Sequence, residues 1–520
     1  MYDVVIVGGG TAGCVLAARL TENGRTRVLL LEAGGARTPK EVGIPAAWPK
    51  LLRGAQDWGY RSEAQPHLGG RRILVPRGRT LGGCSATNAQ MYLRGHRADY
   101  DAWARLGNTG WGYDDVLAYF RRSERNSRGA SPHHGDSGPL AVSDLRDPNP
   151  LTTAFVRACA ETGIPENGDL NGAALDGVAQ VQLIQRAGRR CSAADAYLTP
   201  ARRRSNLQIV TDALVTRIHV EGGRATGVEY RRAGQHTTAA AGEVIVAAGT
   251  IASPQLLMLS GIGPAAALRR HGIAVVHDAP GVGQDLVDHP LVCMHSRCAR
   301  PVTLADAERL GNILRYLLLR RGPLTSNGAE AAAFVRTQQD LPAPDLEIPF
   351  AAVLYEAEWE APPTEHGFTI GAVALQPRSR GTVTLASADP LEPPLIDPRL
   401  VSDAADLEVL VHGMRLARRI TAAPALSDWN AGELTPGAGA TSDDDLRDYI
   451  RARVHTIYHP VGTCRMGTDA GAVVDPALRV RGVDGLRVVD ASVMPTIPRG
   501  HTMAATVMIA EKAADLVRAG

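Results

Sequence analysis

Aromatic residues make up only 4% of this 520-residue chain, with five phenylalanines in all. The core must therefore be built largely from aliphatic side chains, and a broad stacked-aromatic binding surface is not indicated. Long apolar runs are also missing: no stretch approaches the roughly 20 residues of a bilayer-spanning helix, and no charged and apolar leader precedes the first strand. A soluble, cytoplasmic protein without a membrane span is expected. Cysteine is scarce, with seven residues at 14, 84, 159, 191, 293, 298 and 464 and no CxxC pair, so reduced thiols are expected and no structural metal. Neither sign of charge dominates. Lysine and arginine number 56 against 54 acids, and the arginines are scattered, which argues against a nucleic-acid partner. A GxSxG elbow is absent as well, which removes that route to a serine hydrolase.

What is present begins at the first residues. The length implies two domains, or one with a large second layer. Tyr2 to Val7 predicts a strand that runs into Gly8, Gly10 and Gly13 of a GxGxxG turn, followed by a helix over 14–20. In such a turn the first glycine reverses the chain, the second lets backbone N–H groups approach a pyrophosphate, and the third lets helix and strand pack closely. A second strand, Val28 to Leu31, ends at Glu32, 19 residues after Gly13. That is the distance at which a carboxylate accepts hydrogen bonds from adenosine ribose hydroxyls. The turn alone does not separate NAD from FAD, but the carboxylate disfavours a 2′-phosphate.

Further on, residues 78–88 read Gly-Arg-Thr-Leu-Gly-Gly-Cys-Ser-Ala-Thr-Asn, and residues 249–263 read Gly-Thr-Ile-Ala-Ser-Pro-Gln-Leu-Leu-Met-Leu-Ser-Gly-Ile-Gly. Here the sequence resembles the glucose-methanol-choline (GMC) family of FAD-dependent oxidoreductases. The second stretch follows that family's signature throughout; the first departs from it at Cys84 and Thr87. The resemblance runs through Pro280–His289, Leu375–Val383 and Gly485–Pro495, and this ordered set is far more specific than any one glycine loop. It implies a Rossmann-like α/β FAD domain assembled from discontinuous segments, plus a substrate domain with a sheet flanked by helices.

The cofactor contacts it implies are Gly8, Gly10, Thr11, Ala12 and Gly13 in the first turn, with Glu32 and Ala33 after the second strand. Arg79, Leu81, Gly82, Gly83, Ser85, Asn88 and Ala89 would form a backbone-rich platform beside the flavin. Val215, Ala248 and Gly249, Asp490 and Ala491, and His501, Thr502 and Met503 complete the set. The run around Val215 also reads simply as a buried strand, and Asp490 at a strand end could equally cap the next turn. Some family members attach FAD through a histidine at the position of Thr87; threonine cannot form that bond, so noncovalent FAD is expected.

Two histidines near the C-terminus carry the chemistry. His459 lies in Tyr-His-Pro-Val-Gly-Thr-Cys-Arg-Met-Gly, and His501 in Arg-Gly-His-Thr-Met, just before a predicted helix over 502–516. A neutral imidazole suits removal of an alcohol's proton while hydride passes to flavin N5. The resemblance implies His459 as base and His501 as partner of the alkoxide, although the residues alone also allow the reverse. His289 is expected to order its glycine-rich loop, and His455, His133 and His134 to be structural or solvated.

The function expected is oxidation of a small-molecule alcohol to an aldehyde or ketone, with oxygen or another electron acceptor; oxidase and dehydrogenase are both open. The alternative is a hydroxynitrile lyase-type enzyme that keeps FAD without redox chemistry. Residues 1–155, 191–300 and 456–520 are assigned to the FAD domain, and 156–190 and 301–455 to the substrate domain. Within the latter, a strand over 368–376 and a helix over 403–419 are predicted. Tyr355, Trp359 and residues 360–365 form either a mobile lip or an exposed connection.

Overall fold

The structure is a computed structural model that describes residues 1–356 and 364–519. Its first layer grows from short aliphatic runs, with residues 4–7 and 244–246, Val28–Leu31 and Leu486–Val488 buried at every position, the pattern of a sheet covered on both faces. Leu207–Val210, Val28–Leu31, Tyr2–Val7 and Gln235–Val246 are neighbours in that order, all parallel, and Leu486–Val488 pairs with Gln235–Val246 in the same sense. The sheet then continues as an antiparallel meander through Arg224–Arg232 to Ala213–Glu221. The loops that leave Val7, Leu31, Val246 and Val488 therefore open on one edge, the carboxyl end, where α/β sheets bind ligands.

Helix Thr11–Leu20 follows the glycine turn and packs against the last helix, Thr502–Arg518. Both are rich in alanine and unbranched residues, which favour helix and allow close approach. One buried carboxylate ties this corner together. Glu511 accepts from Arg19 at 2.9 Å and Arg122 at 2.8 Å, and from the Tyr197 hydroxyl at 2.7 Å. Its charge is thus compensated twice, as a buried acid requires.

The second sheet is antiparallel in every pairing. Its order is Asn430–Thr435, Pro290–Cys298, Gly367–Ala374, Leu346–Ala351, Ala329–Val335 and Gly177–Gln180, with His455–Thr456 also paired to Pro290–Cys298. Alternation assigns its faces. Val292, Met294, Ile348, Phe350, Ile370 and Ala372 pack with helices Ala404–Thr421 and Pro150–Glu161, while Leu291, Pro349, Thr369 and Gly371 face a cavity between the two layers.

The predicted strand over 368–376 is Gly367–Ala374, and the predicted helix over 403–419 is Ala404–Thr421. Two expected domain boundaries fall elsewhere. The break at 155/156 lies inside helix Pro150–Glu161, whose start is marked by Asn149, its side chain accepting from the Leu151 N–H at 3.0 Å, and by Pro150 in the first turn. The break at 300 lies after Pro290–Cys298, a strand of the second sheet; buried on both faces, it carries no composition shift to mark the crossing.

Phe155 is fully buried, and its ring stacks on Phe350 at 4.7 Å between centroids. Phe155→Ala is expected to lower unfolding free energy by about 3–5 kcal/mol, read as a drop in the urea midpoint with an unchanged slope.

Candidate active site

Between the sheets lies one cavity of about 1280 Å³, lined from both layers. Its nucleotide end is the carboxyl edge of the parallel sheet: Gly8, Gly10, Thr11 and Ala12 line it with Glu32, Ala33, Val215, Ala248, Gly249, Asp490 and Ala491. No side chain caps the helix at Gly10, so the N-terminal N–H groups face the cavity as an anion cradle. A Cβ at Gly13 would run into the Gly8 carbonyl, so only glycine permits that helix-to-strand approach. Glu32 accepts from the backbone N–H of Gly9 at 2.8 Å and Gly34 at 2.7 Å. Burial pushes its pKa up to about 7, opposed by those two N–H groups and the charge of Arg79. Asp490 lines the cavity, and it caps: one oxygen accepts from the Gly249 N–H and the Ser253 hydroxyl, the other from Ser492.

Of the platform, Arg79, Gly83, Asn88 and Ala89 line the cavity, as do Cys84 and Thr87. Leu81, Gly82 and Ser85, like Gly13, instead support it from behind. Gly82 donates its N–H to Gly9 at 2.7 Å, Leu81 packs beside Gly9, and the Ser85 hydroxyl donates to Gly82 at 2.6 Å while accepting from the Ala193 N–H. A Cβ on Gly83 would lie 2.8 Å from Gly10 Cα, which explains glycine where platform and phosphate turn touch. Behind Asn88 stands Arg190, buried, donating to the Asn88 side chain at 2.7 Å. Burial lowers its pKa to about 9, opposed by Asp195. Nothing in its local sequence marks this role.

At the far end the two C-terminal histidines meet, their ring centroids 4.5 Å apart. Both line the cavity and both are almost wholly buried. His459 Nδ1 lies 3.1 Å from His289 Nδ1, and His289 Nε2 lies 3.0 Å from the Leu375 carbonyl. A carbonyl only accepts, so His289 carries its proton on Nε2. Burial, with His501 nearby, lowers its pKa to about 3, so it is neutral and its Nδ1 holds a lone pair. His459 must then donate from Nδ1, which leaves the lone pair on Nε2. Burial first, then His501, His289 and Arg77, hold the His459 imidazole well below its ordinary range.

The backbone under this pair is equally fixed. One oxygen of Asp288 accepts from the N–H of both His289 and His459, each at 2.8 Å, and the other from the Thr456 hydroxyl. Burial raises the Asp288 pKa to about 6, opposed first by Thr456. Tyr458, just before His459, adopts φ +70°, a conformation that side-chain-bearing residues rarely hold without surrounding support. From the signature helix Gly249–Leu259, the Thr250 hydroxyl donates to the Pro460 carbonyl at 2.7 Å. His501 Nε2 lies 3.2 Å from Oε1 of Glu347, a buried acid on the second sheet whose other oxygen has no partner. Thr502 and Met503, the first turn of the last helix, also line the cavity, and no side chain caps that helix.

Sequence reasoning singled out His289 only as a loop residue, and passed over Asp288, Glu347 and Arg190. His455, expected to be structural or solvated, lines the cavity; His134 lies in a buried cluster with Glu124 and Asp169. Trp48, Tyr355 and Tyr458 are among the residues lining the cavity, with Tyr355 5.2 Å from Trp48 and its hydroxyl 3.1 Å from that of Tyr458. Trp359 and residues 360–363 of the expected lip lie outside the described residues.

The GMC oxidoreductase family models match residues 2–291 and, for the C-terminal part, residues 377–510. An alcohol dehydrogenase (acceptor) of Pseudomonas putida is 44% identical over 527 residues, covering 99% of this chain and 96% of that one. An oxygen-dependent choline dehydrogenase of Brucella suis biovar 1 is 42% identical over 99% of this chain and 95% of its own. Among solved structures, pyridoxine 4-oxidase from Mesorbium loti superposes with a TM-score of 0.93 at 35% identity, over the full length of both chains. Formate oxidase of Aspergillus oryzae RIB40 does so with 0.94 at 29%, covering 100% of this chain and 98% of that one.

Asp288→Ala would leave three buried donors without an acceptor. It is expected to cost roughly 3 kcal/mol or more of stability, measured by urea unfolding, with Asp288→Asn costing less because its carbonyl still accepts.

Proposed function

The chain belongs to the GMC oxidoreductase family, and from that premise we propose that it oxidises an uncharged alcohol to an aldehyde or ketone with noncovalently bound FAD. The observation that carries this reading is the neutral imidazole of His459, buried in the cavity with its Nε2 lone pair fixed by the hydrogen bond to His289. The residues fit the cofactor. An uncapped helix N-terminus at Gly10 suits a pyrophosphate, Glu32 retains acceptor capacity for a ribose, and the platform from Gly83 to Ala89 is narrow-sided and backbone-rich. Thr87 in that platform offers no side chain able to form a histidyl-type link, which supports noncovalent binding.

When bound, FAD supplies the acceptor for the hydride that leaves the alcohol carbon. The protein's part is the proton. His459 Nε2 accepts it from the hydroxyl, while Nδ1–H stays directed at His289, so the ring does not need to turn between the two states. His501, its ring centroid 4.5 Å from that of His459, hydrogen-bonds the same oxygen, and Glu347 behind it, 3.2 Å from its Nε2, fixes the orientation of its ring. The uncapped N-terminus of Thr502–Arg518, which lines the cavity, would favour negative charge on a group held against it. The choice of an uncharged alcohol rests on the walls. Leu291, Val353, Leu354 and Ile457 are apolar, and of the acids near them Glu356 is paired with Arg453 at 3.5 Å and Glu347 lies against His501 at 3.2 Å.

Anaerobic mixing of the holoenzyme with primary, secondary and aryl alcohols is expected to bleach the oxidised flavin with at least one of them. His459→Ala is expected to keep its yellow cofactor and lose at least the roughly 10²-fold typical of a missing general base. His501→Asn should lose less, because asparagine still hydrogen-bonds an oxygen. Near-normal bleaching by His459→Ala, or no bleaching of the unmodified enzyme by any alcohol, would refute the proposal.

A further inference from the structure

Helix Leu310–Leu319 presents leucines to solvent where a core-facing helix would hide them. Its inner side is anchored: Tyr316 is buried, its hydroxyl donates to the Gly43 carbonyl at 3.1 Å, and it packs with Ile313, Ala307 and Leu324 in a small satellite cluster. The outer side carries Leu310, Leu314, Leu317 and Leu318, exposed by 72%, 48%, 57% and 79%. Their spacing of four, seven and eight residues puts them on one face. Leu319 adds a further 62% at the helix end, so half of the exposed large hydrophobic residues in the described chain lie on this one helix.

The charge around the strip is one-sided. Arg309, Arg315, Arg320 and Arg321 flank or interrupt it, and no acid occurs from 309 to 321. The acids that approach it are already engaged: Asp306 with Arg309 at 2.9 Å, Asp147 with Arg321 at 3.0 Å and Arg315 at 3.8 Å, and Glu308 with Lys50. Five cations against three acids leave the patch positive. A helix of ten residues is too short to cross a bilayer, and no helix among the described residues is long and apolar enough to do so. An apolar face ringed by arginine is instead the form of a helix lying in the plane of a lipid interface.

We propose that Leu310–Leu319 docks the protein on an anionic membrane surface, with the leucines among the acyl chains and the arginines at the headgroups. A second copy of the chain fits the same face poorly, because pairing across the leucines would set two net-positive patches, each with five cations and three acids, against one another. Docking has a consequence for access. Leu304, Ala305, Asp306, Ala307 and Glu308, which lead directly into this helix, form part of the cavity wall, so the bilayer would lie beside that rim.

The test is cosedimentation of the holoenzyme with vesicles of phosphatidylcholine alone and of phosphatidylcholine with phosphatidylglycerol. Binding is expected with the anionic vesicles, weakened by added salt. It should fall at least about tenfold in the double variant Leu317→Ser with Leu318→Ser, whose alcohol turnover in solution stays unchanged. The proposal is overturned if the unmodified enzyme ignores anionic vesicles, if it binds neutral ones equally well, or if the variant binds as the parent does. A dimer that the substitutions dissociate, with no vesicle binding, would assign the face to a second copy instead.

Discussion

The site depends on the direction of one short hydrogen-bonded chain. The Leu375 carbonyl can only accept, so it takes the Nε2 proton of His289; His289, kept neutral by burial, then offers a lone pair at Nδ1, and His459 must donate to it. The proton on His459 is thereby confined to the nitrogen facing His289, and the lone pair to the other. An isolated imidazole divides itself between two tautomers and a cation near neutral pH. Here burial removes the cation and the carbonyl selects the tautomer.

Holding that chain in register requires both layers of the fold. His289 leads into a strand of the second sheet, Leu375 follows another strand of it, and His459 follows the short pairing of His455–Thr456 with the first of these. His501, by contrast, begins the last helix, which packs on the helix after the glycine turn. The nucleotide end is built from the carboxyl edge of the parallel sheet. The imidazoles therefore sit where the two sheets face one another, and a cofactor bridging that gap would be read by segments from residue 8 to residue 503. A discontinuous domain follows from this geometry: the motifs are far apart along the chain because each closes a different strand onto the same edge.

Much of this was legible in the sequence, for identifiable reasons. The glycine turn and Glu32 are local features of a strand, a tight turn and a strand end, and they stand where spacing put them. His459 and His501 could be singled out because the motifs that hold them resemble those of the family. His289 and Asp288 were adjacent in the same sequence, but their function arises from contacts with residues about 170 positions away, and no local pattern encodes such a pairing. Glu347 was hidden for a related reason: in a strand otherwise buried on both faces, a single acid gives no alternation to read. The domain boundaries were misjudged where the chain crosses from sheet to sheet within continuous apolar sequence, at Pro290–Cys298, and where helix Pro150–Glu161 begins at a cap the reading did not use.

The most direct test of this account is the pH dependence of the flavin-reduction rate at saturating alcohol, followed anaerobically in the holoenzyme. Because His459 is held well below the usual imidazole range by burial and by its histidine neighbours, it stays unprotonated as pH falls through 6.5, and the rate should remain level there, declining only in more acidic solution. A rate that falls away with an apparent pKa of about 6.5 or above, the value of an ordinary histidine, would contradict the account: it would mean that the base is not this buried, hydrogen-bonded ring.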